Sequence, residues 1–221
     1  MAQGPIALNS DEKIDVCRKR MSAEDRRFSI IRAAMDVFAR LGFKGTTTKE
    51  IAEASGISEA IIFRHFATKH DLYSAIIDYK VEQSREQLYG SMNEWTLARD
   101  DRLLFSKLGA TILDHYRSDP AFIRLLLYSA LEGHELAHMF FERQVMLTWK
   151  FLYDYILLRT REGVFREIDP MIAARAFLGM INHYALVREL FTEHQHDHFT
   201  AEQAIANFSD IFFEGIRRHD S

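Results

Sequence analysis

Residues 47–66 read TTKEIAEASGISEAIIFRHF and contain two short helix signals separated by a single glycine. Thr47 and Glu50 have the spacing of a capping box, in which the hydroxyl and the carboxylate satisfy backbone N–H groups of the first turn. Gly56 supplies the left-handed residue that ends the first helix, and Ser58 caps the second. This stretch therefore predicts a helix-turn-helix, whose second helix reads base edges in the major groove of DNA.

A third helix is needed, because two helices of this length are marginally stable in water. The segment just upstream predicts one that begins at Ser22 and ends at Gly42. Its apolar residues share one broad face: Phe28, Ile30, Ile31, Ala34, Met35, Val37, Phe38 and Leu41. We expect this face to pack on the apolar residues of the helix-turn-helix, which are Ile51, Ala52, Ile57, Ile62 and Phe66.

The rest of the chain also has the pattern of long helices. A connecting helix is predicted from Thr68 to about Gln87, ending near Gly90. The part of the chain that follows, roughly residues 91–221, contains at least five further helical segments. Two of them begin at Asp119-Pro120 and Asp169-Pro170, because each pair combines an N-cap residue with a first-turn proline.

The remaining helices of the body are predicted from apolar spacing. They cover residues 135–161, 170–191 and 200–218, the last with Ala204, Ile205, Phe208, Ile211 and Phe212 facing inward. No strand pattern is present. The predicted fold is all-α, with an N-terminal three-helix domain that contains the helix-turn-helix and a C-terminal helical bundle.

Composition limits the classes of protein and site. The chain has 221 residues, of which 48% are hydrophobic and 27% are charged, as in ordinary globular proteins. Its one cysteine, Cys17, excludes an intramolecular disulfide and a cysteine-based zinc site, and fits a reducing cytoplasm. No apolar run is long enough to span a membrane, and residues 1–15 lack a signal-peptide block, so we expect a cytoplasmic protein.

Charge is unevenly distributed along the chain. The net charge is −4, yet residues 1–69 hold 12 Lys and Arg against nine Asp and Glu, and the remainder holds 16 against 23. A basic N-terminal part, here called the head, joined to an acidic remainder, here called the body, is typical of a DNA-binding domain that is linked to a domain with another role. Chance asymmetry is the alternative.

Residues 24–84 resemble the DNA-binding domain of TetR-family transcriptional regulators. The positions that match the family pattern in type and spacing are Ala33, Ala34, Phe38, Gly42, Phe43, Thr46, Thr47, Thr48, Ile51, Ala52, Ala54, Gly56, Ile57, Ser58, Ile62, Phe63, His65, Phe66, Lys69, Asp71 and Leu72. The resemblance implies an N-terminal arm over residues 1–23, the DNA-binding domain over 24–84, and a ligand-binding and dimerisation domain over 85–221.

What the resemblance implies about function is a homodimeric transcription regulator that binds a roughly palindromic operator. In the family a small molecule enters the body, changes the separation of the two heads and releases the DNA. We therefore expect a repressor that is released by a small apolar or aromatic ligand. The sequence leaves open the operator, the effector, and the choice between repression and activation.

The resemblance also places the DNA contacts, at Thr46, Thr47, Thr48, Ser58, Glu59, Ala60, Ile61, Phe63, Arg64, His65 and Lys69. Thr47, Thr48 and Lys69 are expected to contact phosphates, which set register rather than sequence choice. The family usually has tyrosine where this chain has Phe63, so one hydroxyl-to-phosphate bond is missing. Ile61 offers only an apolar contact, and Arg64 is a candidate for either a guanine or a phosphate.

The effector is expected to lie among aromatic side chains of the body, and the candidates are Phe105, Tyr116, Phe122, Tyr128, Trp149 and Tyr153, with His183. At helical spacing many such aromatics belong to the core instead. His134 and His138, with His183 or His115, are an alternative candidate set of metal ligands, but histidines at a helix boundary are usually solvated. His194, His196 and His198 are interpreted as a polar linker, and no metal or cofactor is predicted.

Two other classes of function were compared with the regulator. An enzyme is not predicted, because no glycine-rich phosphate loop, G-x-S-x-G, H-E-x-x-H or paired-carboxylate motif is present. A helical module whose helix-turn-helix binds protein is the second alternative. The basic head and the threonines and lysine at phosphate-contacting positions favour DNA, and weak salt dependence of DNA binding would favour the module.

Overall fold

The computed structural model describes residues 22–133, 135–191 and 198–218. Most of the predicted N-terminal arm, with Cys17, therefore lies outside the described residues. The same is true of His134, His194 and His196.

The described residues fold into α-helices joined by short turns, with one π-helical turn. In chain order the helices are α1 (Ala23–Gly45), α2 (Thr48–Ser55), α3 (Glu59–His65), α4 (Lys69–Ala98), α5 (Asp101–Ser118), α6 (Pro120–Leu131), α7 (Glu135–Phe140), the π-helical turn (Phe141–Val145), α8 (Met146–Arg161), α9 (Pro170–Leu190) and α10 (Ala201–Ile216). No strand is formed in these ranges, where Phe165 and Arg217 make an isolated antiparallel bridge. The predicted all-α fold is confirmed.

Local sequence signals account for most helix ends. The capping box of Thr47 and Glu50 is formed, and Gly56 ends α2 in the left-handed conformation with φ 66° and ψ 30°. The side chains of Asp119 and Asp169 accept hydrogen bonds from the first amides of α6 and α9. Ser58 occupies the N-cap position of α3 as predicted, but its hydroxyl makes no capping hydrogen bond.

Two helix predictions differ from the structure. The connecting helix α4 continues past Gly90 to Ala98 and ends where Arg99 adopts φ 52°, because a single glycine inside a helix costs about 1 kcal/mol without breaking the hydrogen-bond ladder. The segment 135–161 is helical throughout, but the π-helical turn interrupts its regular spacing.

The core consists of two apolar clusters. The first contains residues of α1, α2, α3 and α4, together with Phe122 and Leu125 of α6. The second lies in the body, among α5, α8, α9 and α10. Two residues predicted to be buried are exposed, Leu41 at 45% and Ile211 at 65%. Ile211 is exposed because the buried face of α10 is rotated toward Ser209, Phe213 and Ile216.

A kink at Gly42 gives a testable prediction. Gly42 adopts φ 69° and ψ 175°, a backbone conformation that is essentially restricted to glycine. We expect Gly42→Ala to lower the free energy of unfolding by about 1–3 kcal/mol. An alanine Cβ at this position would also lie 2.6 Å from Oε1 of Glu132, so the side chain at the end of α6 would have to move. Urea denaturation at a fixed protein concentration measures the loss.

Gly45→Ala is the matched control, three residues along the same helix. The φ of Gly45 lies outside the left-handed region, and a Cβ there would be 3.5 Å from Cβ of Leu41, an ordinary contact. Its effect is expected to stay within about 0.5 kcal/mol. Equal losses for the two variants would contradict the role assigned to the kink.

Candidate nucleic-acid interface and ligand cavity

Helix α3 presents the surface on which the predicted base contacts lie. Its apolar side is anchored in the head core by Ile62, which is buried, and by the half-buried Ile61. Its other side exposes Ala60, Phe63 and Arg64, with Phe63 at 49%. The structure therefore places Ala60, Phe63 and Arg64 on one exposed face of this short helix, whereas Ile61, also a predicted contact, lies on the side that faces the core.

The N-termini of α2 and α3 are joined by a side-chain hydrogen bond. The hydroxyl of Thr48 donates to Oε2 of Glu59 at 2.6 Å. Thr47, at the N-cap of α2, donates its hydroxyl to Glu50 at 2.9 Å. These bonds hold the side chains of the two threonines that are expected to contact phosphate. The bond from Thr48 also restricts the rotation of the Glu59 carboxylate at the start of α3.

Lys69 and Thr46 have structural partners inside the head. The ammonium of Lys69 donates to the carbonyl oxygens of Phe43, at 2.7 Å, and Thr46, at 2.8 Å, and lies 4.2 Å from the centroid of the Phe43 ring. Burial lowers the pKa of Lys69. Thr46 is buried, and its hydroxyl donates to the carbonyl of Gly42 at 2.7 Å. In this structure both residues therefore position the turn between α1 and α2 rather than face the exposed surface.

A further residue at this surface was not predicted from the sequence. Arg27 of α1 donates from Nη1 to the carbonyl oxygen of His65 at 3.2 Å, and its guanidinium lies 4.3 Å from the Phe66 ring centroid. Arg27 thereby satisfies a carbonyl at the C-terminus of α3, where a positive charge also complements the helix dipole. A lone arginine on a helix face gives no sequence signal for such a contact.

The body contains a cavity of about 520 Å³ between α4, α5, α6, α9 and the helix that follows the π-helical turn. This volume lies within the ordinary range for small-molecule sites. Three of the predicted aromatics line it: Tyr116, Phe122 and Trp149. Its other apolar walls include Ile112, Leu126, Phe140 and Leu178.

The other predicted ligand residues lie elsewhere. Phe105 is fully buried among the rings of the body core, where its centroid lies 5.0 Å from that of Phe212 and 5.1 Å from that of Phe177. Tyr128 is 40% exposed at the contact between α6 and α1, beside Gly42. Tyr153 and His183 are outside the cavity wall as well. These four predicted ligand residues thus lie outside this cavity, since helical spacing does not show which interior space, or which part of the surface, a side chain faces.

Several polar residues of the cavity wall were missed. Lys80 of α4 forms an ion pair with Asp119 and donates to Oε1 of Gln83 at 3.1 Å. The hydroxyl of Tyr116 donates to Oδ1 of Asn182 at 3.2 Å, and burial raises the pKa of Tyr116. His115 and Gln144 also line the cavity. Gln144 belongs to the π-helical turn, a feature that occurs often at functional sites.

No three His, Cys, Asp or Glu side chains in the described ranges are grouped closely enough to hold a metal ion. His138 instead approaches Glu142, with Nδ1 and Oε1 3.6 Å apart, and both side chains are exposed. None of the described helices combines the length and the apolar character needed to cross a membrane.

Two family models match the chain. One, described as bacterial regulatory proteins of the tetR family, matches residues 30–76, which span most of α1 to the first turns of α4. The other, described as the C-terminal domain of AefR-like transcriptional repressors, matches residues 106–214. Together the two matches cover the head and most of the body.

Several proteins similar to this chain are described as regulators. An uncharacterised HTH-type transcriptional regulator of Bacillus subtilis (strain 168), YerO, is 28% identical over 163 residues, 72% of this chain and 55% of that protein, so the chain spans about half of this relative's length. The structure of AibR in complex with isovaleryl coenzyme A and operator DNA is 20% identical, with a TM-score of 0.65 and coverage of 85% of this chain and 98% of AibR. FadR from Bacillus halodurans, a fatty acid degradation regulator, is 18% identical, with a TM-score of 0.66 and coverage of 88% and 97%. At these identities the two structures establish the likeness of the fold.

Proposed function

Because this chain belongs to the TetR family of DNA-binding transcriptional regulators, we propose that it is a homodimeric repressor that leaves its operator when a small apolar or aromatic ligand enters the cavity of the body. The matched families and relatives are regulators rather than enzymes. A protein of this kind acts on chromosomal DNA, and we place it in the cytoplasm.

The observation that carries the proposal is that α4 and α6 belong both to the head and to the cavity wall. Leu72 and Tyr73 of α4 are buried in the head core, while Lys80, about two turns along, lines the cavity. Phe122 of α6 takes part in both at once. A ligand that displaces either helix therefore moves a part of the head core, and with it the helix that reads DNA.

The contact between α6 and the head is specific. The hydroxyl of Tyr73 donates to the carbonyl of Leu125 at 3.4 Å, and burial raises the pKa of Tyr73 to about 12. Arg143 of the π-helical turn pairs with Asp78 of α4. Two elements that contribute residues to the cavity wall, α6 and the π-helical turn, are thus bonded to α4, which begins directly after α3.

Exposed apolar residues support the dimer. Met146, Leu147 and Leu158 of α8 and Ile172 of α9 are all more than a third exposed. Exposed apolar residues on two neighbouring helices are a feature that protein interfaces can bury. A two-fold dimer would present two copies of α3 to successive major grooves, which fits a roughly palindromic operator.

The proposal is tested by fluorescence anisotropy of the purified protein on DNA from upstream of its own gene and on random duplex, at two salt concentrations. We expect tight binding that prefers the upstream DNA, weakens as salt rises, and saturates at one or two dimers per site. Equal binding to both duplexes, or weak salt dependence, would contradict the proposal and favour the protein-binding module.

Arg64 provides a residue-level prediction. Its side chain is exposed on α3, and arginine can donate two parallel hydrogen bonds to a guanine. We expect Arg64→Ala to weaken operator binding by roughly 1–3 kcal/mol per base pair contacted, and to weaken binding to random duplex much less. The ratio of the two affinities, measured by the same anisotropy assay, is the quantity to compare.

Lys107→Ala is the control for the loss of one positive charge, because Lys107 is exposed on α5 in the body. It should leave both affinities unchanged. If Arg64→Ala weakens operator and random duplex equally, Arg64 contacts a phosphate and another residue of α3 reads the base.

A further inference from the structure

The charges in the cavity wall neutralise each other. Among the described residues that line the cavity, the carboxylate and ammonium groups are those of Asp119 and Lys80, and these two form an ion pair. Asp119 is held further, because its Oδ1 accepts a hydrogen bond from the amide of Phe122 at 3.0 Å. A ligand with a net negative charge would have to compete with Asp119 for Lys80, so the cavity favours an uncharged molecule.

Gln144 supplies a buried acceptor that no described protein group satisfies. Its residue is 7% exposed, and no donor in the described part of the chain lies within hydrogen-bond distance of its Oε1 atom. A buried polar atom without a partner costs about 1–3 kcal/mol, so such atoms in folded proteins call for a physical reason. Here the residue lines a cavity, and it belongs to the π-helical turn.

His115 supplies a second acceptor in the same wall. Its Nδ1 lies 2.8 Å from the carbonyl oxygen of Thr111, which can only accept, so in the neutral ring Nδ1 carries the hydrogen. The other nitrogen, Nε2, is then an acceptor, and it too is buried without a protein donor among the described residues. The polar atoms left for a ligand in this cavity therefore include two acceptors.

We propose, building on the proposed function, that the effector is an uncharged molecule with an apolar or aromatic body and a hydroxyl group that donates a hydrogen bond to Oε1 of Gln144. A second donor on the same molecule would be met by Nε2 of His115. Phenols are the simplest members of this class. Carboxylates such as fatty acids, and polyanionic thioesters such as acyl-coenzyme A, are disfavoured by the same reasoning.

The test is isothermal titration calorimetry of the DNA-free protein with two probes that differ in the hydrogen-bond donor and by one methyl group. These are 4-butylphenol and 4-butylanisole, in which a methyl group replaces the hydroxyl hydrogen. The phenol is expected to bind about tenfold more tightly than the anisole. Octanoate and octanoyl-coenzyme A, as the anionic probes, are expected to bind more weakly than the phenol.

Gln144→Met removes the acceptor and keeps a side chain of similar length. It should reduce the preference for phenol over anisole to less than threefold, while anisole affinity is retained. Asn207→Leu is the control, because it replaces an exposed amide of α10 outside the cavity, and it should keep the full preference. Circular dichroism melting checks that both variants are folded.

The outcomes separate this inference from the proposed function. If wild-type protein binds phenol and anisole equally, or binds octanoate more tightly, the inference is overturned whatever happens to the DNA. This comparison needs no variant, so it decides the matter even if Gln144→Met fails to fold. If the phenol binds with the expected preference but does not release operator DNA, the inference stands and the effector-release part of the proposed function fails.

Discussion

Asp101→Ala is expected to lower the free energy of unfolding by about 3 kcal/mol, because it leaves a buried arginine without its main partner. Asp101 is 7% exposed at the start of α5. Its two carboxylate oxygens accept from Nε and Nη2 of Arg159, both at 2.8 Å, and one also accepts from the hydroxyl of Tyr155 at 2.5 Å. These bonds join α5 to α8.

The environment of the pair explains the size of the effect. The side chain of Arg159 is only 11% exposed, and its hydrogen bonds to Asp101 raise the pKa of Arg159. Burial, followed by the hydrogen bond to Asp101, raises the pKa of Tyr155. Nη1 of Arg159 also donates to Glu162 at 2.6 Å, which keeps part of the compensation in the variant and places the loss at the lower end of the usual range.

Urea denaturation at a fixed protein concentration measures this loss, and Asp154→Ala is the control. Asp154 accepts from Lys150 at 2.8 Å in an exposed i, i+4 pair, whose removal should change stability by less than about 0.5 kcal/mol. The double variant Asp101→Leu/Arg159→Met should lose much less than Asp101→Ala, because both charges are then absent. A loss for Asp101→Ala as small as for Asp154→Ala would contradict the assignment of a buried network.

Helix boundaries could be read from the sequence because they depend on neighbouring residues. The box of Thr47 and Glu50, the glycine at 56 and the Asp-Pro pairs each act within one turn, and the structure has helix ends at all of them. The long-range contacts of Lys69 were not readable in this way. Its ammonium reaches backbone carbonyls 23 and 26 residues away, and only the folded turn between α1 and α2 brings them within reach.

The residues of the cavity wall are also not encoded by local sequence patterns. Gln144 lies within the π-helical turn, where the regular spacing assumed for residues 135–161 does not hold, so that spacing did not identify it as a cavity residue. The ion pair of Lys80 and Asp119 joins α4 to the residue before α6, and no local pattern encodes it. The predicted contacts with DNA remain predictions, since they depend on the geometry of a complex.

The second large effect is expected for Phe105→Ala, which should lower the free energy of unfolding by about 3–5 kcal/mol. Phe105 was a candidate ligand residue, but its ring is fully buried and packs against four other rings, those of Tyr155, Phe165, Phe177 and Phe212. Removing it loses the transfer free energy of the ring and leaves a space that the surrounding helices fill only in part. Edge-on ring contacts, such as that with Phe212, are lost as well.

Phe105→Leu and Phe199→Ala separate packing from other effects. Leucine keeps most of the volume, so Phe105→Leu should lose roughly 1.5 kcal/mol or less, and Phe199 is 46% exposed, so its removal should change stability by less than about 0.5 kcal/mol. Because Phe105 lies outside the cavity wall, the folded Phe105→Leu protein should bind 4-butylphenol as the wild type does. Unchanged stability together with a large loss of phenol affinity would contradict this assignment. It would indicate that Phe105 contacts the ligand.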